Sequence, residues 1–117
     1  MLLIQFNILK MIELQKIVSW FKSNCDGDWE RKNQIKIYST SNPGWGIEID
    51  LNETVLCELV FDMSIVTNAD DDWYYIKIID GRFSAARDQD KLEFLLNKFI
   101  ALIETTVVDS ILNRLSE

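Results

Sequence analysis

Leu14, Ile17, Val18 and Phe21 recur at i, i+3, i+4 and i+7, which predicts a helix over about residues 11–24 with those four side chains on one face. Asn24-Cys25-Asp26-Gly27 ends it, Gly27 supplying the left-handed conformation that a helix C-terminus commonly needs. From Ile35 the period changes to two, with Ile35, Ile37 and Ser39 pointing one way and Lys36 and Tyr38 the other. Asn42-Pro43-Gly44 reads as a turn in which Pro43 pre-sets the first central dihedral and Gly44 takes the positive one. Trp45, Ile47, Ile49 and Leu51 then alternate with Gly46, Glu48 and Asp50, the cleanest strand signal in the chain.

Asn52-Glu53 closes a tight turn into a third expected strand, Val55 to Phe61, which is apolar on both faces except for Glu58 and so suits a central place in a sheet. Residues 67–72 read as a solvated loop, Trp73 to Ile79 as a fourth strand ended by Asp80-Gly81, and Arg82 to Ala85 as a short fifth pairing. Asp88 or Asp90 is placed to cap the next helix, the latter with Glu93 at capping-box spacing. Leu92, Leu95, Leu96, Phe99, Leu102 and Ile103 follow at helical period; Thr105 to Val108 weaken it, and Asp109 to Leu115 resume it or form a separate turn. Contiguous strands and short turns predict an α+β fold: an antiparallel four- to five-stranded β-meander packed against an N-terminal and a C-terminal helix, with residues 1–117 as one domain. Residues 1–10 keep three readings: a start upstream of the true Met11, an extension of the helix, or an extra strand.

Apolar residues at 48% and charged residues at 26%, with one Pro and four Gly, exclude disordered and collagenous chains. The net charge of −7 is concentrated. Residues 48–80 hold Glu48, Asp50, Glu53, Glu58, Asp62, Asp70, Asp71, Asp72 and Asp80 against Lys77 alone. Such a field repels phosphate backbones and anionic lipid, so nucleic-acid and membrane-surface binding are disfavoured and a basic protein partner is favoured. No basic residue precedes the apolar opening and no cleavage site follows it, and no apolar run approaches the roughly 20 residues of a membrane span, so no export or anchor is expected. Cys25 and Cys57 lack the spacing of a disulfide scaffold and suit reduced thiols in the cytoplasm.

The chain has no histidine, which removes the commonest general base, the usual partner of nucleophilic Ser or Cys, and the commonest zinc ligand. No phosphate-binding, dinucleotide or CxxC motif occurs, so no cofactor or metal is expected. Of the four tryptophans, Trp20 and Trp45 fit core positions. Trp29 and Trp73 each neighbour carboxylates, a pattern shared by an interface anchor and by a partly buried ring at a sheet end. Three successive Asp are almost never buried unpaired, so Asp70, Asp71 and Asp72 beside Trp73, with Glu48 and Asp50 across the sheet, form the candidate partner-binding patch. The segment Asp26-Gly27-Asp28-Trp29-Glu30 and the turn Pro43-Gly44-Trp45 are expected to be architectural, their carboxylates accepting backbone hydrogen bonds.

The run Trp20-Phe21-Lys22-Ser23-Asn24-Cys25-Asp26-Gly27-Asp28-Trp29-Glu30, then Ile35-Lys36-Ile37, Asn42-Pro43-Gly44-Trp45, Ile49-Asp50-Leu51, Asp72-Trp73 and Asp80-Gly81-Arg82-Phe83, resembles the immunity protein 53 family of bacterial polymorphic toxin systems. The resemblance spans roughly residues 14–103. Arg31-Lys32 stands where the family pattern leads one to expect a His, and Ser84-Ala85-Ala86-Arg87 where it leads one to expect a Gly-rich stretch. It implies a non-catalytic cytoplasmic antitoxin that binds one cognate toxin domain, a basic one of the kind many nucleases present. Two other classes fit the residues alone: a small acidic adaptor domain, and a carboxylate-dependent enzyme, which would need two carboxyls of opposed pKa in one cleft.

Overall fold

In the computed structural model the described residues are 2–69, 72–88 and 91–115, with side chains described for 13–63, 67, 69, 72–88 and 91–105. Helix α1 spans Leu2–Asn24, the one-turn α2 Trp29–Lys32, and α3 Leu92–Leu115. Strands β1 (Ile35–Thr40), β2 (Gly44–Asp50), β3 (Phe61–Ala69), β4 (Asp72–Ile79) and β5 (Arg82–Asp88) form one antiparallel sheet in the order β1-β2-β5-β4-β3. The α+β architecture with a helix from each end of the chain is the one the periodicities predict.

Three local expectations change. Val55 to Phe61 is not a strand: residues 52–58 turn, Leu56 alone of the run is buried, and Val55 and Val60 are 77% and 74% exposed. The connection carries the chain past the sheet, so β2 and β3 are not neighbours and β3 lies at the far edge. The centre belongs to β5, which is longer than the expected pairing and inserts between β2 and β4. Its pairing with β4 follows from the two-residue turn Asp80-Gly81, both at positive φ (53° and 74°), which matches the twist of a tight hairpin and locks Ile79 opposite Arg82, while its other edge pairs with β2. The expected solvated loop at 67–72 is also shorter, since β3 runs to Ala69 and β4 starts at Asp72.

The helices cover one face of the sheet. Phe99, fully buried, sets its ring edge-on to Trp20 of α1 (centroids 5.0 Å apart) and to Phe83 of β5 (5.3 Å). Ile47, Ile49, Ile76, Ile78 and Ala85 complete the core from the strands, with Leu95, Leu96 and Ile100 from α3. On α1 the buried stripe is Ile17 and Trp20 with Phe21 half in, whereas Leu14 and Val18 are about half exposed, a rotation of the expected face toward α3. Residues 2–10 are helical and continuous with the expected helix, not an extra strand. Helix α3 runs unbroken through the β-branched run Thr105 to Val108. Asp88 does not cap it; Asp88 closes β5, and Asp90 lies outside the described residues.

Candidate functional site

The loop between α1 and α2 is held by its own carboxylates. Asp26 accepts the backbone N–H groups of Asp28 (2.9 Å) and Trp29 (2.8 Å), and these bonds hold its carboxyl below the ordinary value. Glu30 reaches back to the N–H groups of Gly27 (2.7 Å) and Asp26 (3.1 Å), while Gly27 turns the chain at φ +96°. Asp28 is exposed and pairs with Lys32 at 3.0 Å. Trp29 is 2% exposed, donates its Nε1–H to the Asn52 carbonyl at 2.7 Å, and packs edge-on against Trp20 and Phe21. Its ring therefore ties the loop to the turn that follows β2.

The sheet face opposite the helices is assembled by register, because paired residues share a face. Tyr38, Gly46, Ala86 and Tyr75 form one row across four strands. Lys36, Glu48, Ser84, Lys77 and Asp62 form the next, then Asp50, Arg82 and Ile79; in the other direction Thr40, Gly44 and Asp88 lead to Trp73. Trp73, Glu48 and Asp50 thus share this face, although not as the neighbours that the sequence reading made them. With about 6.6 Å between rows, Glu48 lies roughly 13 Å and Asp50 roughly 20 Å along the strands from Trp73.

Glycines seat the aromatic rings. A Cβ on Gly46 would strike the ring of Tyr38, and one on Gly44 would strike the Arg87 carbonyl oxygen and come within 3.0 Å of the Trp73 indole. Gly44 is required here by contact and not by dihedral, its φ being outside the positive region expected for it, and the preceding turn occupies residues 41–43 with Pro43 exposed. Trp45 points to the other face and packs against the core. Tyr38, Trp73, Tyr75, Glu48 and Asp50 are all half-buried. Burial, then the neighbouring Tyr75 and Glu48, push the Tyr38 hydroxyl up to about 12, so at neutral pH it is a hydrogen-bond donor.

Asp70 and Asp71 lie outside the described residues. Asp72 is engaged inside the molecule: it pairs with Arg87 (3.6 Å) and Lys91 (3.3 Å). Asp88, 4% exposed, pairs with the same two cations at 3.7 and 3.3 Å and accepts the Trp73 N–H at 3.3 Å. Burial pulls the Lys91 ammonium down, but hydrogen bonds to Asp88 and Asp72 outweigh it and hold it above its ordinary value. Arg87 in turn lies over the rings of Phe94 (4.1 Å) and Tyr74 (5.0 Å). This network fastens the Trp73 end of the sheet to the start of α3. Asp50 accepts the Gln34 N–H at 2.9 Å and pairs with Arg82 at 3.2 Å.

Sequence reasoning missed Tyr38 and Tyr75 as members of this face, although Tyr38 already stood on the polar side of the β1 alternation. It read Asp88 as a helix cap and Arg87 as part of a departure from the family pattern, neither as a partner of Asp72 or Trp73. Chemically the face offers rigid aromatic surface and carboxylate acceptors spread over a length that only another macromolecule would span. Among the described residues no three acidic or cysteine side chains converge to hold a metal ion, and no helix is long and apolar enough to cross a membrane. A family model described as immunity protein 53 matches residues 14–104. No curated protein and no solved structure matches the chain.

Proposed function

Because the chain belongs to the immunity protein 53 family, we propose that it binds the cognate toxin domain of a bacterial polymorphic toxin system in the cytoplasm of the producing cell and blocks it by occupancy, without chemistry of its own. The family match is the observation that carries this reading. The toxin contacts the helix-free sheet face, with Trp73 as anchor and Glu48 and Asp50 as acceptors for its Arg and Lys side chains. What supports that choice is the union of half-buried aromatics on fixed backbone with carboxylates of the segment that concentrates the negative charge. Asp70 and Asp71 add steering charge at the Trp73 end, and Asp72 contributes mainly by holding that end in place. A basic toxin, of which nucleases are one class, is the complementary partner.

The test is to seek a toxin gene beside this one and co-express its product with the chain, followed by co-purification and a survival assay. Trp73→Ala should weaken binding by about 2 kcal/mol or more, and neutralising Asp70 and Asp71 should slow association and flatten its dependence on salt. Full protection by a chain carrying Trp73→Ala, Glu48→Gln and Asp50→Asn together, with an unchanged melting temperature, would move the interface elsewhere.

A further inference from the structure

The sheet has two open edges, and they differ. Along β3 the pairing with β4 shifts register between Met63 and Val66 and again between Thr67 and Ala69, irregularities of the kind that blunt an edge against further pairing. Strand β1 carries no such device: it pairs with β2 residue for residue from Ile35 to Thr40, holds no proline, and its Ile, Tyr and Thr residues favour a strand. Asp50 donates its N–H to the Gln34 carbonyl at 3.0 Å, which fixes the phase of the ladder. Lys36, Tyr38 and Thr40 therefore turn their backbone groups to β2, and Ile35, Ile37 and Ser39 turn theirs outward from the edge. Ile37 is 47% exposed on the face that carries the helices, and Val18 of α1, which lines one cleft with Ile35, is 48% exposed on the same side. Lys36 is the one charge in β1, and the strand lies outside the segment 48–80 that concentrates the negative charge. Two copies of a chain of net charge −7 can therefore approach along β1 without setting carboxylate directly against carboxylate.

We propose that β1 pairs antiparallel with β1 of a second copy about a two-fold axis through Ile37, joining the two five-stranded sheets into one. The edge selects its own register. With Ile37 opposite Ile37 and Ile35 opposite Ser39, every outward N–H and C=O of these residues finds a partner. Sliding by two residues one way sets Lys36 against Lys36 and leaves Ser39 with no strand residue opposite; sliding the other way strands Ile35 instead. In the selected register Lys36 stands opposite Tyr38 of the second copy, and Tyr38 leans inward over Gly46, which leaves room at the edge for the lysine stem. On the helix side Ile37 is covered by its counterpart, and the half-exposed Val18 and Leu14 of each α1 lie on that same side of the joined sheet. The strand is thus its own complement, which is what a two-fold contact requires. Trp73 lies on β4, three strands from this edge, so the pairing leaves that end of the open face free and does not depend on the toxin reading.

Sedimentation equilibrium of the full-length chain from about 10 µM to about 1 mM tests this, a range suited to a contact at the small end of specific interfaces. The mass should rise from 13.7 kDa toward twice that value. The amides of Ile35, Ile37 and Ser39, open in the monomer, should gain about tenfold protection from hydrogen exchange at the top of the range. Ile37→Lys sets two ammonium groups opposite each other at the axis, and Ser39→Pro removes an outward N–H without touching a bond to β2. Both variants should keep the parent's circular dichroism and stay monomeric at every concentration. A parent that is monomeric throughout the range overturns the proposal, as does a dimer that both variants form as readily. Protection of the β1 amides only when a toxin is added would assign the edge to a strand of that partner and overturn the second copy as its occupant.

Discussion

Gly46→Ala is a one-methyl change whose effect the structure fixes with unusual narrowness. The glycine is buried mid-strand in β2, and the three atoms nearest to the new Cβ would be outer ring atoms of Tyr38. Those atoms end a side chain that can swing away, so the strand itself need not break, and the better strand propensity of Ala offsets part of the damage. The loss is then the half-buried Tyr38 ring and its interactions with Tyr75 and Glu48, an overpacking cost of about 1–2 kcal/mol. At roughly 4 °C per kcal/mol for a domain of this size, the midpoint should fall by about 4–8 °C. Gly44→Ala is the internal comparison: there the Cβ meets the Arg87 backbone oxygen, which cannot move without disturbing the central strand, so its cost should reach about 3 kcal/mol or more. Spectrophotometric titration gives the second readout. The Tyr38 hydroxyl, pushed up to about 12, should return toward 10 in Gly46→Ala. Because the raised value favours the protonated form in the folded state, its stabilisation is full below about pH 10 and is lost as pH rises through about 12, so the variant should show a shallower alkaline limb over that interval. A Gly46→Ala protein that melts within 1 °C of the parent with an unchanged tyrosine titration (roughly the precision of a melt,) would refute the placement of Tyr38 over Gly46.

Three other outcomes follow from the same structure. Gly27→Ala meets open space but must hold φ +96°, so thermal melts should show a loss of about 1 kcal/mol with toxin binding intact. Asp26, whose carboxyl is held below its ordinary value first by the Trp29 N–H and then by the Asp28 N–H, stabilises the fold above its unfolded pKa and loses that contribution as pH falls through the folded value; urea melts from pH 7 to pH 3 should fall less steeply for Asp26→Asn than for the parent. Phe99→Ala removes the ring that joins α1, α3 and β5, and its cost of about 3–5 kcal/mol should leave much of the chain unfolded at 37 °C by circular dichroism.

The strands that pack helices on one side were legible from the sequence, because burial on a single face writes itself into a period of two: β2 is the clearest instance, with Ile47 and Ile49 fully buried. The helix periods, the left-handed Gly27 and the hairpin at Asp80-Gly81 are also local properties and were readable for that reason. The place of each strand was not. Val55 to Phe61 has the composition of a central strand, yet the sheet centre is taken by Arg82–Asp88, whose Ser, Ala, Arg and Asp have little strand preference. The turn after β4 pairs β5 with β4, the non-local pairing with β2 makes it central, and its small Ala85 and Ala86 are buried in the sheet's middle, the same stretch where a Gly-rich pattern was expected. The candidate site divides along the same line. That Asp72 and Trp73 adjoin was written in the sequence; that Asp72 is paired by Arg87 and Lys91, and that Trp73, Glu48 and Asp50 share a face, depend on register and on contacts between elements far apart in the chain. Local pattern determines which residues turn toward a core, but only the packed chain decides what stands opposite them.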